Sequence, residues 1–476
     1  MQKGGQIMGT IRFSGYTHRF LARFVIEVET PLAVGSGEKD ILTDALVATD
    51  VNGLPYIPGT AIAGVVRHMI EEVKPQGFDV NQIFGFQKEQ DGHGSEIIFT
   101  EAKIINSKGE VVDGVNLDAI KTDPLLQNYD KLPIRQHVRI NDKGVTDKAG
   151  KFDEQVVFAG TRFCFELEML AKDDTINNFN KIIEQIQSRI FRIGGGTRCG
   201  FGEIEVKELY KRSLNLKDSG DLELYLAKSS DLSKEWQGWD KKEPKTEKSA
   251  DGWIKYELHL QPEDFFLFGS GFGDDEVDMT PVKEKKVVWD DDSHGHLSEE
   301  LVLIPAASVK GALAHRVAFH YNRLKERFSG CTGDKEPKVG NENEAVQALF
   351  GYENQKEKKQ VRGNVIFNEV IQDTLPDKVL NHVSIDRFTG GAIESALFDE
   401  KVLFGNGKSF TTKIMVDKTA FEGDPDYKIA FESALKDLID GLLPLGGGVN
   451  RGNGCFGGSV KEINGTFNHK REIESW

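Results

Sequence analysis

Two glycine clusters carry the residue types that most readily approach a phosphate. Gly194-Gly195-Gly196-Thr197-Arg198-Cys199-Gly200 and Gly446-Gly447-Gly448-Val449-Asn450-Arg451-Gly452 each follow a helix-like segment, precede a strand and contain an arginine. Glycine lacks a Cβ, so such a loop can come close to an oxygen-rich ligand and aim several N–H groups at it. A tight turn at positive φ would need the same residues. Neither loop continues into Gly-Lys-Ser/Thr, and each runs from helix to strand, which excludes a Walker loop and a dinucleotide fingerprint. A second feature is also doubled: IPGTAIAG (57–64) and IPAASVKG (304–311) put Thr60 and Ser308 where a helix N-cap is expected, with Lys310, Arg67 and Arg316 further along. A helix N-terminus presents free N–H groups and a positive dipole end to a phosphate, although ordinary capping needs no ligand. Thirdly, acidic residues follow two Gly-Ser-Gly turns: Glu38, Asp40 and Asp44 in one, Asp274, Asp275, Glu276 and Asp278 in the other. A loop carboxylate beside a phosphate can hold Mg²⁺ or help to deprotonate a ribose 2′-OH, whereas most loop acids are merely solvated. His137 and His382 stand at matched places, and His294 and His296 fall in a short polar tract expected to form a loop tip. No GxSxG, HExxH or Cys/His constellation occurs, which argues against the hydrolases that depend on them.

These doubled features belong to a repeat of the chain itself. Ile83-Phe84-Gly85-Phe86 matches Leu349-Phe350-Gly351-Tyr352, and Ile97-Ile98-Phe99-Thr100-Glu101 matches Val365-Ile366-Phe367-Asn368-Glu369. Further on, His137-Val138-Arg139-Ile140 matches His382-Val383-Ser384-Ile385, and Phe152-Asp153-Glu154 matches Phe398-Asp399-Glu400. The collinear order implies a tandem duplication, with unit one at 18–210 and unit two at 252–466. Between them, 211–251 contains KSSDLSKEW and KKEPKTEKSADG and reads as a charged linker or a surface insertion. Residues 324–345 read as an exposed loop, and 105–131 as a lobe inserted in unit one.

Strand patterns dominate each unit. FLARFVIEVET alternates Phe24, Ile26 and Val28 on one face, and FCFELEML and SFTTKIMV behave alike. Helical spacing marks TAIAGVVRHMIEEV, SVKGALAHRVAFHYNRL and NNFNKIIEQIQSRIFRI. The order of elements predicts an α+β, ferredoxin-like unit with helices on one face of an antiparallel sheet.

Composition bounds the function. The 476 residues carry 60 Lys+Arg against 76 Asp+Glu, a net charge of −16, with 38% hydrophobic residues. That is ample for packed cores and too long for one ordinary domain. Residues 1–250 hold 33 basic and 38 acidic side chains, and 251–476 hold 27 and 38, so net −5 and −11. An acidic balance lowers the expectation of a nucleic-acid partner, but a narrow basic track on an acidic body escapes a net count. Cys164, Cys199, Cys331 and Cys455 form no CxxC pair, which fits a reducing compartment. No apolar run reaches membrane-span length, and the start MQKGGQIMGT has no signal-peptide character, so a cytoplasmic protein is expected.

The order of apolar strand, Gly-Ser-Gly, Asp and GLPYIPGT with a later Gly and Arg resembles the RAMP superfamily of CRISPR effector complexes, whose hallmark is the C-terminal Gly-rich loop. HVSIDRFTG (382–390) resembles backbone subunits of type III complexes, and two such units in one chain resemble the double-backbone proteins of subtype III-D-like systems. The resemblance implies two tandem ferredoxin-like (RRM-like) RAMP domains, each with a β-hairpin thumb, within 137–160 and 382–405. It implies a subunit that binds guide crRNA and cleaves complementary single-stranded target RNA as a metal-dependent endoribonuclease. Its partners would be a large signalling subunit and other RAMP subunits, with no membrane. Asp44 falls on the family's catalytic aspartate, and Asp278 corresponds in unit two, with Asp274 and Asp275 as rivals; these aspartates would hold Mg²⁺ or another divalent cation. RNA contacts are implied for Thr60, Arg67, His137, Arg139, Gly195, Gly196 and Arg198, and for Ser308, Lys310, Arg316, His382, Arg387, Gly447, Gly448 and Arg451. Unit one departs from the family in carrying Ala63 where a lysine is usual, and unit two has Ala306-Ala307 for Gly-Ser. A non-catalytic crRNA-binding scaffold is the alternative.

Overall fold

The computed structural model describes residues 15–463 apart from 42, 90, 173–175, 246–251, 291–293 and 355–358. In its first half the strand His18–Val28 points Phe20, Ala22, Phe24, Ile26 and Val28 into a core while Arg19, Arg23 and Glu27 face outward. That period of two places it at the centre of an antiparallel sheet, between Arg162–Ala171 and Ile204–Asn215. Asp240–Lys242 and Ile97–Phe99 form the outer strands. The helices Gly59–Val73 and Ile176–Ile186 cover the inner face. The first buries Ile62, Val66, Met69 and Ile70, and the second Phe179, Ile182, Ile183 and Ile186. Each row follows helical spacing, so one apolar stripe meets one apolar sheet face.

The second half repeats this order. Trp253–Pro262 lies between Phe410–Asp417 and Phe456–Ile463, with Val365–Phe367 at the edge. The helices Ala306–Leu324 and Asp426–Ile439 pack together over its core, which is separate from the first. Both halves are thus mixed α and β with antiparallel sheets.

Three local expectations are corrected. The helix caps are Pro58 and Pro305, not Thr60 and Ser308, and no side chain caps either helix. Proline's fixed φ, here −57° and −66°, already sets the extended entry, so Thr60 and Ser308 fall inside the first turn. The charged stretch after 211 is not a bare tether: the strand continues to Asn215, and the helix Ser219–Leu226 follows, capped by Asp218. Trp236 then closes over Leu21 and Leu214 on the sheet's outer face. Its two tryptophans outweigh the charges that mark it in the sequence, because Leu21 would otherwise face water. Finally, His294–Leu297 is no loose tip. It pairs with Val287–Asp290 in a hairpin that docks on the first half, where Trp289 Nε1 donates to the Gly160 carbonyl at 2.8 Å and Val287 joins the first core.

Candidate nucleic-acid interface

The two acidic loops fold alike, because in each an aspartate caps its own turn. The Thr43 N–H donates to Asp40 Oδ1 at 2.6 Å, and the Val277 N–H to Asp274 Oδ1 at 2.9 Å. The residue after each turn then docks on a hairpin. Asp44 N–H donates to Asp153 Oδ1 at 2.8 Å, and Asp153 N–H returns a bond to Asp44 Oδ2 at 3.2 Å. In the second half Asp399 N–H donates to Asp278 Oδ2 at 3.0 Å. Parallel bridges Ala45 to Glu154 and Met279 to Glu400 continue the match. Asp278 therefore holds the place of Asp44. Asp274 corresponds to the turn residue Asp40 and is held below the usual carboxylate range by the Glu276 and Val277 N–H groups.

The hairpins themselves, Ile134–Ile140 with Thr146–Gln155 and Asp377–Ile385 with Ala392–Phe404, begin slightly earlier than the sequence suggests. His137 stacks on Phe152 and His382 on Phe398, both at 4.8 Å between ring centres. Each histidine Nε2 also stands 3.0 Å from a glutamate, Glu154 or Glu400. Beyond these anchors the hairpins expose apolar side chains: Val138 and Ile140 on the first, Val383, Ile385 and Leu397 on the second, and Phe388 at 98% exposure. Arg387 is exposed beside Phe388, and Arg139 pairs with Asp147 at 3.2 Å. Apolar projections of this kind can wedge against stacked bases.

The glycine loops are shaped chiefly by their own backbone. Gly195 N–H donates to the Ala33 carbonyl and Gly447 N–H to the Leu267 carbonyl, each at 2.7 Å, so these two donors are engaged within the fold. A Cβ on Gly202 or Gly454 would stand 2.0 Å from the carbonyl oxygen of Ile193 or Leu445, and both glycines have positive φ. Gly196 and Gly448 likewise adopt positive φ and pack beneath Phe201 and Asn453. The arginines are also committed internally. Arg198 donates to the Gly363 carbonyl at 2.9 Å, and burial, with Arg362 and Arg192 nearby, lowers it to about 10. Arg451 pairs with buried Glu400 at 2.7 Å. Arg67 ties its helix to Glu71, Asn81 and the Gly85 carbonyl, and Arg316 binds Asp437. Lys310 reaches toward Cys199 at 3.6 Å, Ser308 is half-buried and Thr60 is exposed. The structure thus brings together the acids and hairpins, and it leaves Arg67, Arg198 and Arg316 as internal ties.

Sequence reasoning missed what joins the halves. Arg135 lies 5% exposed between Glu284 and Glu369, which are 5% and 2% exposed. Its guanidinium donates to Glu284 Oε2 at 2.8 Å and to Glu369 Oε1 and Oε2 at 3.0 and 2.9 Å. Burial opposes the arginine's charge, but the two carboxylates more than offset it and hold the group protonated; burial pushes Glu369 upward against the same arginine. Glu369 stood only as a repeat match, and Arg135 had no partner visible in the chain order. Asp153 and Asp399 were legible in the same limited way.

Near this junction Glu29, Glu203, Asn368 and Glu369 line a cleft of about 240 Å³. Burial first, then a hydrogen bond with Glu205, lifts the Glu29 carboxyl to about 7. The folded chain then keeps a proton that the unfolded chain releases from its ordinary value of 4.5, so stability falls as pH rises from 4.5 to 7. Glu29→Gln is expected to flatten part of that fall in thermal melts taken across the window. The effect is modest, because the side chain is 41% exposed and solvent screens it. Identical slopes for the two proteins would reject the assignment.

At the first loop the Asp44 and Asp153 carboxylates each accept the other residue's backbone N–H, and no group of three or more His, Cys, Asp or Glu suited to an ion occurs among the described residues. Zinc takes three or four protein ligands, whereas Mg²⁺ keeps its waters and accepts one or two carboxylates with substrate phosphates.

A family model described as the RAMP superfamily matches residues 25–205 and 286–457. The chain is also 28% identical, over 242 residues, to the CRISPR system Cms endoribonuclease Csm3 of Methanocaldococcus jannaschii, a match covering 45% of this chain and 93% of that protein. No helix among the described residues is long and apolar enough to cross a membrane.

Proposed function

The chain belongs to the RAMP superfamily, and from that premise we propose that it is a double backbone subunit of a type III CRISPR effector, each half a ferredoxin-like unit that binds crRNA and cleaves the paired target RNA. What carries this reading is the twofold recurrence of one arrangement: an exposed loop aspartate docked on a hairpin whose far side is apolar. The similarity to a Csm3 endoribonuclease supports the choice of RNA as substrate. Guide and target would lie across the hairpins, whose apolar tips part the stacked bases and splay the strand.

At each splayed step the ribose 2′-OH would attack the adjacent phosphorus in line. The new bond is O2′–P and the broken bond P–O5′, leaving a cyclic phosphate and, once the departing O5′ takes a proton from water, a 5′-hydroxyl. Asp44 and Asp278 would accept the 2′-OH proton or hold an ion, a reading supported by their exposure and by the hydrogen bonds that hold their loops on the hairpins. Asp44 and Asp153 in the first half, and Asp278 and Asp399 in the second, would hold Mg²⁺, which when bound supplies charge stabilisation at the phosphate.

The test is assembled effector with guide, labelled matching RNA and Mg²⁺. Two cuts attributable to this chain are expected, both lost when EDTA removes the ion while the RNA stays bound. Bound, matched RNA that is never cut would leave a crRNA-holding scaffold instead.

A further inference from the structure

The loop that carries Asp278 also touches the other half of the chain. Gly271, at φ +89°, packs on Gln136: a Cβ there would stand 3.2 Å from Gln136 Cγ. Gln136 Nε2 donates to Asp153 Oδ2 at 3.0 Å, and Asp153 is the carboxylate that receives the Asp44 N–H. Gln136 Oε1 is buried and has no hydrogen-bond partner among the described residues. Beside Gly271, Phe272 is 59% exposed, and Lys151 Nζ from the first hairpin lies 5.7 Å from its ring centre. An open aromatic face next to a lysine, one glutamine away from paired carboxylates, offers a base a surface to stack on and its phosphate a cation.

We propose that Phe272 is a stacking platform for a nucleobase beside the Asp44 site, with Lys151 holding that nucleotide's phosphate, so that the second half completes the first half's site. The proposal rests on the reading that Asp44 lies at a scissile phosphate. It also makes the two sites unequal. Counted from the Gly-Ser-Gly turns, Glu38 stands in unit one where Phe272 stands in unit two. In the hairpin register, Leu397 replaces Lys151. A second copy of this chain set against the second half in the same way would therefore bring the Glu38 carboxylate beside the second hairpin's own Leu397 at the Asp278 site, a pair that favours neither a base nor a phosphate.

The experiment uses assembled complex in EDTA, so that RNA binds uncut, with 2-aminopurine scanned along the guide in one series and along the target in another. One position is expected to be strongly quenched by the wild type, less by Phe272→Ala and again by Phe272→Tyr; the series in which it occurs says which strand supplies the base. With Mg²⁺ and subsaturating target, Phe272→Ala is expected to slow the Asp44-dependent cut about 5- to 150-fold, the range of one base–aromatic stack, and to leave the Asp278-dependent cut unchanged. Lys151→Ala should slow the same cut and lessen its salt dependence. Quenching and rate both unaffected by Phe272→Ala would overturn the proposal. An Asp44→Asn protein that still makes its cut would instead overturn the reading beneath it, and the quenching would still decide whether Phe272 stacks.

Discussion

Asp44→Asn is expected to bind matched RNA as tightly as the wild type and to lose one of two cuts, by a factor of about 100 to 10,000 if the carboxylate acts as proton acceptor. The amide keeps an oxygen to accept the Asp153 N–H, so the loop stays docked while the negative charge disappears. Alanine would remove that bond as well and mix a structural loss with a chemical one. Asp278→Asn should remove the other cut by the same reasoning, because the Asp399 N–H needs only an acceptor. Asparagine leaves both loops docked, including the contact of Gly271 with Gln136, so the two losses should add independently. Gel resolution of end-labelled products reads both cuts at once. A double variant that cuts normally would remove the catalytic role from both loops.

The repeat made most of this arrangement readable. Matched motifs at Phe152-Asp153-Glu154 and Phe398-Asp399-Glu400 turn out to be the hairpin ends on which the loop acids dock, and the count from Gly-Ser-Gly to Asp278 holds in three dimensions. What the sequence concealed were the partners of its charges. Arg67, Arg198 and Arg316 look available for phosphate, yet Arg198 and Arg316 face acceptors contributed by distant parts of the chain, and Arg67 is held by Glu71 one turn on and by the Gly85 carbonyl. A lone arginine has no periodicity, so its partner emerges only once the sheets are assembled. The same holds for the glycine loops: positive φ and close backbone approach explain Gly202 and Gly454 without a ligand. The segment after 211 misleads for another reason. Its charges are many and its buried residues few, and Trp236, with Leu224, Tyr225 and Trp239 packed around it, covers Leu21 and Leu214.

Arg135→Ala is expected to destabilise the protein by about 3–5 kcal/mol, because it strands two buried carboxylates that no other cation faces as directly. Glu284 begins the segment leading into the hairpin that docks on the first half, and Glu369 follows the edge strand of the second sheet, so one guanidinium ties the first hairpin's stem to two elements of the other half. Arg135→Lys should recover part of the loss. An ammonium restores charge but cannot reproduce the planar fork that engages both carboxylates. Replacing all three residues together by Met, Leu and Leu should cost much less than Arg135→Ala, since a buried ion cluster offsets its own desolvation only narrowly. Urea unfolding of the three proteins measures this directly. Should Arg135→Ala shift stability by less than about 1 kcal/mol, water reaches the cluster and the halves are held chiefly by apolar contacts such as Val287 in the first core. The larger loss would instead mean that the hairpin carrying Asp153, and with it the Asp44 loop, is held in place by the second half. A change at the junction would then reach the first cut without touching either aspartate.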